Sequence, residues 1–169
     1  MASENYLGNP RLKRADTKVE YTPEQVAEYI KCSEDPIYFI LTYCKIVNID
    51  KGLIMFPLWE FQKEMILAFE ANRFVICKMP RQTGKSTTVV SYLLHYIIFN
   101  DNVNIGILAN KASTSRELLS RLQLAYENLP KWMQHGILAW NKGNVELENE
   151  SKILAASTSS SAVRGMSFN

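Results

Sequence analysis

Gly84-Lys85-Ser86 is the part of this chain best suited to chemistry on a phosphate. The glycine lets the backbone approach a ligand closely. The lysine carries a compact positive charge on a flexible stem, and the serine hydroxyl is an oxygen ligand for a hard cation. A bare triplet of this kind is common by chance, so its surroundings decide its weight. An apolar run, Phe74-Val75-Ile76-Cys77, comes before it and a long helical pattern comes after it. Strand, tight loop, helix is the order in which loop N–H groups and a helix N-terminus cradle a nucleoside triphosphate. In that setting Lys85 reaches the β- and γ-phosphates and the Ser86 hydroxyl holds Mg²⁺. Met79 stands where the G-x-x-x-x-G-K-[ST] pattern has its first glycine, so the loop Met79–Ser86 is a variant.

Other residues add to this site by type and position. Arg81 lies inside the loop, where a guanidinium can stabilise charge on a γ-phosphoryl group; its ordinary role would be a surface cation or an ion pair. Gln62 precedes the loop on an amphipathic helix, and its amide can match the donor and acceptor edge of adenine. A glutamine at such a position is usually an exposed polar residue, but a glutamine upstream of a phosphate loop is the Q-motif arrangement. Arg164, in Val163-Arg164-Gly165, can act in trans on a neighbour's triphosphate or sit in a common ion pair. The run Ser157–Ser161 can bond DNA phosphates or serve as a linker. His95 and His135 have no companions at ligand spacing, so the side chains alone predict no metal site. No apolar strand ending in an acidic pair follows the loop. Glu146, Glu148 and Glu150 alternate with Val145 and Leu147 and read as the exposed face of a hairpin strand.

The elements that must position these residues can be read from periodicity and caps. Residues 1–20 are polar, basic at Arg11, Lys13, Arg14 and Lys18, and aperiodic, which predicts a flexible basic arm. Thr22-Pro23-Glu24-Gln25 is a helix start, and a second helix, apolar nearly all round, begins near Asp35-Pro36. These make a helical extension over residues 21–57, with Gly52–Pro57 as a connector. Leu58–Glu70 is an amphipathic helix with Leu58, Phe61, Met65, Ala68 and Phe69 on one stripe. A strand over 74–79, the loop, a helix over Lys85–Phe99, a strand over Val103–Ala109 and a helix opened by Thr114-x-x-Glu117 follow. A hairpin turns at Asn149-Glu150-Ser151. The order predicts an α/β fold of the P-loop NTPase type, a parallel sheet flanked by helices with a late β-hairpin.

Composition sets the frame. The chain has 169 residues, 47% of them hydrophobic, enough for one domain with a sizeable core. A net charge of +2 is too small to argue for nucleic acid by itself. Cys32, Cys44 and Cys77 form no C-x-x-C pair and read as buried thiols in a reducing compartment. The start, Met1-Ala2-Ser3-Glu4-Asn5, is polar and unlike a secretion signal, and Val89–Phe99 is too short to span a bilayer, so a soluble intracellular protein is expected.

Six blocks, LWEFQKEMI, MPRQTGKSTTVV, IGILANKASTSRELL, NLPKWMQHGI, WNKGNVELENESKI and SSSAVRGMSF, together resemble the large terminase subunit of tailed bacteriophages, particularly the contractile-tailed ones. The similarity runs in order over roughly residues 55–169 and is looser before that. The resemblance implies an ATP-driven motor of the ASCE P-loop type that packages double-stranded viral DNA into a prohead. It also implies a portal protein, a small terminase subunit and a ring of copies as partners, in the host cytoplasm and away from membranes. Gln62 stands at the family's adenine-sensing glutamine, and Arg81-Gln82-Thr83-Gly84-Lys85-Ser86, continued by Thr87, matches its variant Walker A loop. Arg81 matches an arginine proposed to act in cis and Arg164 one proposed to act in trans. Residues 58–169 correspond to the first part of the ATPase domain, and the family's acidic strand, coupling motif and nuclease fall outside them. The expectation is a chain that binds ATP with Mg²⁺ and hydrolyses it negligibly alone. A superfamily 2 helicase fragment shares the glutamine-then-loop order, and a non-catalytic assembly half-domain is the other alternative.

Overall fold

The computed structural model describes residues 4–48 and 50–158. Helix α1, Pro23–Glu34, starts at a capping box: Thr22 Oγ1 accepts from the Gln25 N–H at 3.3 Å and Gln25 Oε1 accepts from the Thr22 N–H at 3.0 Å. It stops before Pro36, which disfavours helical backbone at Asp35. Asp35 then caps α2, Pro36–Tyr43, by accepting from the Tyr38 N–H at 2.9 Å. A hairpin follows, β1 at Lys45–Asn48 and β2 at Gly52–Met55, antiparallel with Lys45 opposite Met55. Glycine at 52 meets a positive φ of 70° that the turn into β2 needs.

Helix α3 covers Glu60–Ala71 and α4 covers Lys85–Phe99. Strand β3, Asn104–Ala109, leads into α5, Ala112–Glu127. Three strands complete the chain: β4 at Ile137–Trp140, β5 at Asn144–Leu147 and β6 at Lys152–Ser157. The sheet order is β3-β6-β5-β4. β3 and β6 are parallel, with Ile105 beside Ile153, and β5 runs antiparallel to both β6 and β4. The α5 helix packs on β3 and β6, α4 packs on α5, and α2 packs on α4. One core joins these layers, with Phe39, Leu94, Ile97, Leu119, Leu122 and Ile153 buried in it.

The class is α/β, as the sequence predicts, but the sheet is mixed: β3 and β6 are the parallel pair among the described residues. Several expectations are corrected. Residues 74–79 belong to no strand. Their apolar run has the pattern of an inner strand, and no described strand lies alongside to pair with it. Gly52–Pro57 is not a plain connector, since 52–55 form β2. The α5 helix begins at Ala112, ahead of Thr114, with Lys111 at the N-cap and no side-chain cap, so Thr114 and Glu117 lie inside it. β4 had no clear signal, because Ile137-Leu138-Ala139-Trp140 lacks alternation.

The basic arm is the largest departure. Leu12 is 2% exposed and Lys13 is buried. The Ile137 N–H donates to the Lys13 carbonyl at 3.0 Å, and Arg14 bridges Ile137 in parallel. Gln134 locks the arm: its Oε1 accepts from the Lys13 N–H at 3.1 Å, and its Nε2 donates to the carbonyls of Arg11, Tyr126 and Leu129. Glu148 is no free hairpin face either. It accepts from the Asp16 N–H at 3.0 Å and the Gly136 N–H at 3.1 Å. Burial lowers the Lys13 pKa, partly opposed by Glu148. Composition flagged this segment as solvated because it counts charges and cannot see that a lysine stem covers apolar surface.

Candidate phosphate-binding site

The loop is built from its two ends. At the C-terminal end Gly84 is the N-cap of α4, with φ 75° and ψ 5°, in the left-handed region that glycine enters without strain. No side chain caps this helix end. Its first N–H groups, which have no partner inside the helix, are left for a ligand. Gln82 also has a positive φ, 64°, a cost for a residue with a Cβ. Left-handed residues in a loop at a helix N-terminus are the backbone signature from which anion-binding concavities are made.

At the other side α3 holds the loop through Gln62. The side chain is 2% exposed. Its Oε1 accepts from the Trp59 N–H at 2.9 Å and its Nε2 donates to the Thr83 carbonyl at 3.2 Å. A Cβ at position 84 would lie 2.7 Å from Gln62 Nε2, so a side chain there would displace the Gln62 amide as well as strain the positive φ. The expected stripe on α3 is corrected here. Gln62, Met65 and Ile66 are its buried residues, while Phe61 is exposed. Met65 of the expected stripe is buried and Leu58, Ala68 and Phe69 are half-buried, so Phe61 is its misplaced member, and Gln62, being polar, was not counted as inward-facing.

The expected site residues fall as follows. Lys85 is half-buried and its Nζ donates to the Pro80 carbonyl at 2.9 Å, and Thr83 Oγ1 donates to the same carbonyl at 3.1 Å. The lysine ammonium thus folds over the loop it belongs to. Ser86 is exposed, Thr87 half-buried, and Arg81 and Gln82 exposed at the loop's outer side. Thr88, which sequence reasoning missed, is fully buried and its Oγ1 donates back to the Gly84 carbonyl at 3.2 Å, tying down the first turn of α4. The structure therefore brings Gln62, Thr83, Gly84, Lys85 and Ser86 together. Arg164 and Ser159–Ser161 lie outside the described residues.

A cleft of about 200 Å³ opens beside Lys85 and Ser86, lined by Cys77, Val89, Leu93 and Ile107. No described carboxylate lines it. Cys77 is exposed, unlike Cys32 and Cys44, so the expectation of three buried thiols holds for two. Desolvation, with Glu28 adding to it, pushes the Cys32 thiol up to about 12. The imidazoles are structural: His95 Nε2 meets the Cys32 carbonyl at 2.9 Å and His135 Nε2 meets that of Ile98 at 2.7 Å. Among the described residues no three His, Cys, Asp or Glu side chains cluster as a metal site, and no helix is long and apolar enough to cross a membrane.

With this geometry in place, two comparisons bear on it. The model of the family described as terminase large subunit, T4likevirus-type, N-terminal matches residues 76–169, which include the loop and the four-stranded sheet. Among solved structures, the crystal structure of the HK97 bacteriophage large terminase is similar over 81% of this chain, with a TM-score of 0.61 and 20% sequence identity. The match covers 28% of that chain. At this identity it shows a shared fold.

Proposed function

This chain belongs to the terminase large-subunit family, T4-like type, N-terminal part, and from that premise we propose that residues 79–87 bind ATP together with Mg²⁺. The N–H groups at the start of α4 take the β- and γ-phosphates, and Lys85 exchanges the Pro80 carbonyl for phosphate oxygens. Ser86 supplies a hydroxyl to Mg²⁺, and Thr87 and Gln82 flank the phosphates. Arg81, exposed at the loop, is placed to neutralise the γ-phosphoryl group. Gln62 has, by valence, one further N–H and one further lone pair beyond its bonds to Thr83 and Trp59, and these suit the adenine edge. A base that pulls on Gln62 pulls on the loop. Arg164 would serve a neighbouring copy in a ring.

The larger role follows from the family. The site is the ATP-binding part of a motor that moves double-stranded viral DNA into a prohead, working with a portal protein and a small subunit in the infected cell's cytoplasm. The phosphoanhydride supplies the energy, and this chain contributes phosphate binding and charge neutralisation. No described carboxylate lines the cleft to take the proton of an attacking water, and the isolated chain is expected to hydrolyse ATP negligibly. The observation that carries the reading is Gly84 at an uncapped helix N-terminus, in a left-handed conformation with Lys85 next to it.

Titration of the chain with fluorescent mant-ATP and Mg²⁺ tests it. Saturable binding is expected, weakened at least tenfold by Lys85→Ala, with phosphate release at background. Equal affinity of wild type and Lys85→Ala would overturn the site, and turnover lost on Lys85→Ala would overturn the negligible hydrolysis.

A further inference from the structure

Three hydrogen bonds in series join the amide of Gln62 to the ammonium of Lys85. Gln62 Nε2 donates to the Thr83 carbonyl at 3.2 Å, Thr83 Oγ1 donates to the Pro80 carbonyl at 3.1 Å, and Lys85 Nζ donates to that same carbonyl at 2.9 Å. Thr83 is the joint of the series. Its backbone meets the residue on α3, and its side chain meets the acceptor that the lysine uses. The α3 end is firm, because Gln62 is buried and its Oε1 is held by the Trp59 N–H. The lysine end is open, with Pro80 exposed and Lys85 half-buried.

A threonine hydroxyl bonded three residues back usually does no more than close a turn. Here the turn spans Arg81 and Gln82, and Gln82 sits in it at the positive φ of 64°. The pyrrolidine ring fixes φ at Pro80, so few torsions remain to aim its carbonyl. That carbonyl has two lone pairs and two donors, the neutral hydroxyl of Thr83 and the charged ammonium of Lys85. When Lys85 leaves for a phosphate, the hydroxyl is the partner that stays. A carbonyl kept bonded and aimed in this way lowers the cost of the lysine's departure.

We infer that Thr83 is a positioning residue that couples recognition of the base at Gln62 to release of Lys85 from Pro80, so that base and phosphates tighten each other's binding. This rests on the ATP site proposed above. A base on the spare N–H and lone pair of Gln62 immobilises that amide, and the Thr83 carbonyl with it. An immobilised Thr83 keeps its hydroxyl on Pro80. Lys85 then turns to phosphate at lower cost, and by reciprocity bound phosphate favours the base. The hydroxyl carries the coupling, and the bulk of the side chain does not.

Splitting the nucleotide into two ligands tests this on the whole chain. Adenosine carries the base, and inorganic pyrophosphate with Mg²⁺ carries the charge. Calorimetry gives the pyrophosphate affinity with and without saturating adenosine in wild type, Thr83→Val and Thr83→Ser. Adenosine should tighten pyrophosphate binding at least fivefold in wild type and in Thr83→Ser, which keeps the hydroxyl. In Thr83→Val, which keeps the shape and loses the hydroxyl, the gain should fall below twofold. A turn that is only structural would weaken each ligand alone in Thr83→Val and leave their coupling as it was. Equal coupling in all three proteins, or no coupling in a wild type that binds pyrophosphate through Lys85, would overturn the inference. A second measurement needs no ligand. In NMR spectra of the free chain, the Gln62 side-chain amide should shift in Thr83→Val and exchange its protons at least threefold faster, with wild-type behaviour in Thr83→Ser. An unchanged Gln62 amide in Thr83→Val would overturn the inference too. Pyrophosphate binding that is equal in wild type and Lys85→Ala would sink the ATP site instead, and the Gln62 signal would then decide the coupling by itself.

Discussion

Gln134 and Lys85 mark two regions built on opposite terms. Around Gln134 the amide is committed to backbone: its oxygen receives one N–H and its two N–H groups are shared among three carbonyls. The arm, α5 and β4 close on it, and Tyr126, fully buried, donates to the His135 carbonyl at 2.6 Å. Around Lys85 the chain leaves a helix N-terminus uncapped, an apolar segment bare and a cleft open. Folding free energy comes from the first region. The second is held in place by a few contacts, chiefly Gln62 from α3, and keeps its surfaces open. A chain can leave one face unsatisfied when the other carries the stability.

That contrast predicts a ranking of effects. Phe39→Ala should have the largest: Phe39 is fully buried against Phe99 and His95, and its loss should cost about 3–5 kcal/mol in urea unfolding. Gln134→Ala should cost about 2–3 kcal/mol, because the Lys13 N–H and three carbonyls lose their partner inside the fold. A cost below about 1 kcal/mol at either position would break the comparison.

Acidification should act on the closed region more gently. Burial lowers the pKa of both His95 and His135, against weaker opposing contributions that include Glu70 and Asp35 for the former and Asp101 and Glu148 for the latter. Each then binds protons less readily folded than unfolded. Stability is full above the unfolded imidazole value of about 6.5 and falls as pH drops below it. Thermal melts at pH 7.5 and 5.5 should show a lower Tm at 5.5, with a shallower slope in His95→Gln, since His95 Nδ1 is buried without a partner. The smallest effect is expected on the open side. Ile76→Ser should change stability by less than about 0.5 kcal/mol, because its side chain is almost wholly in water. A loss above 1 kcal/mol would mean that 74–79 is already packed.

Much of this was legible in the sequence where local chemistry decides structure. Thr22 and Gln25 announce α1, Asp35-Pro36 announces α2, and the span of α4 follows from its apolar pattern and the Asn100 stop. The Gly84-Lys85 loop was legible because its glycine and lysine serve one backbone geometry. What escaped was decided at a distance. Gln134 looks like any surface glutamine, and its partner Lys13 lies 121 residues away. Val75 and Ile76 spell a strand by composition, yet no strand forms there among the described residues, because pairing depends on a neighbour that their own residues do not name. The inward turn of Gln62 on α3 was missed for a related reason: it meets Thr83, a contact no periodicity encodes.

The docked arm has a consequence in time. Residues 11–16 leave the ribosome more than a hundred residues before Gln134, Ile137 and Glu148, on which they rest. At the usual synthesis rates of about 5–20 residues per second, the arm waits on the order of ten to thirty seconds for its seat. During that interval Leu12 has nothing to bury against, and the core can assemble only as a collapsed intermediate with its N-terminal closure missing. The arm can take its place only after its seat has been made.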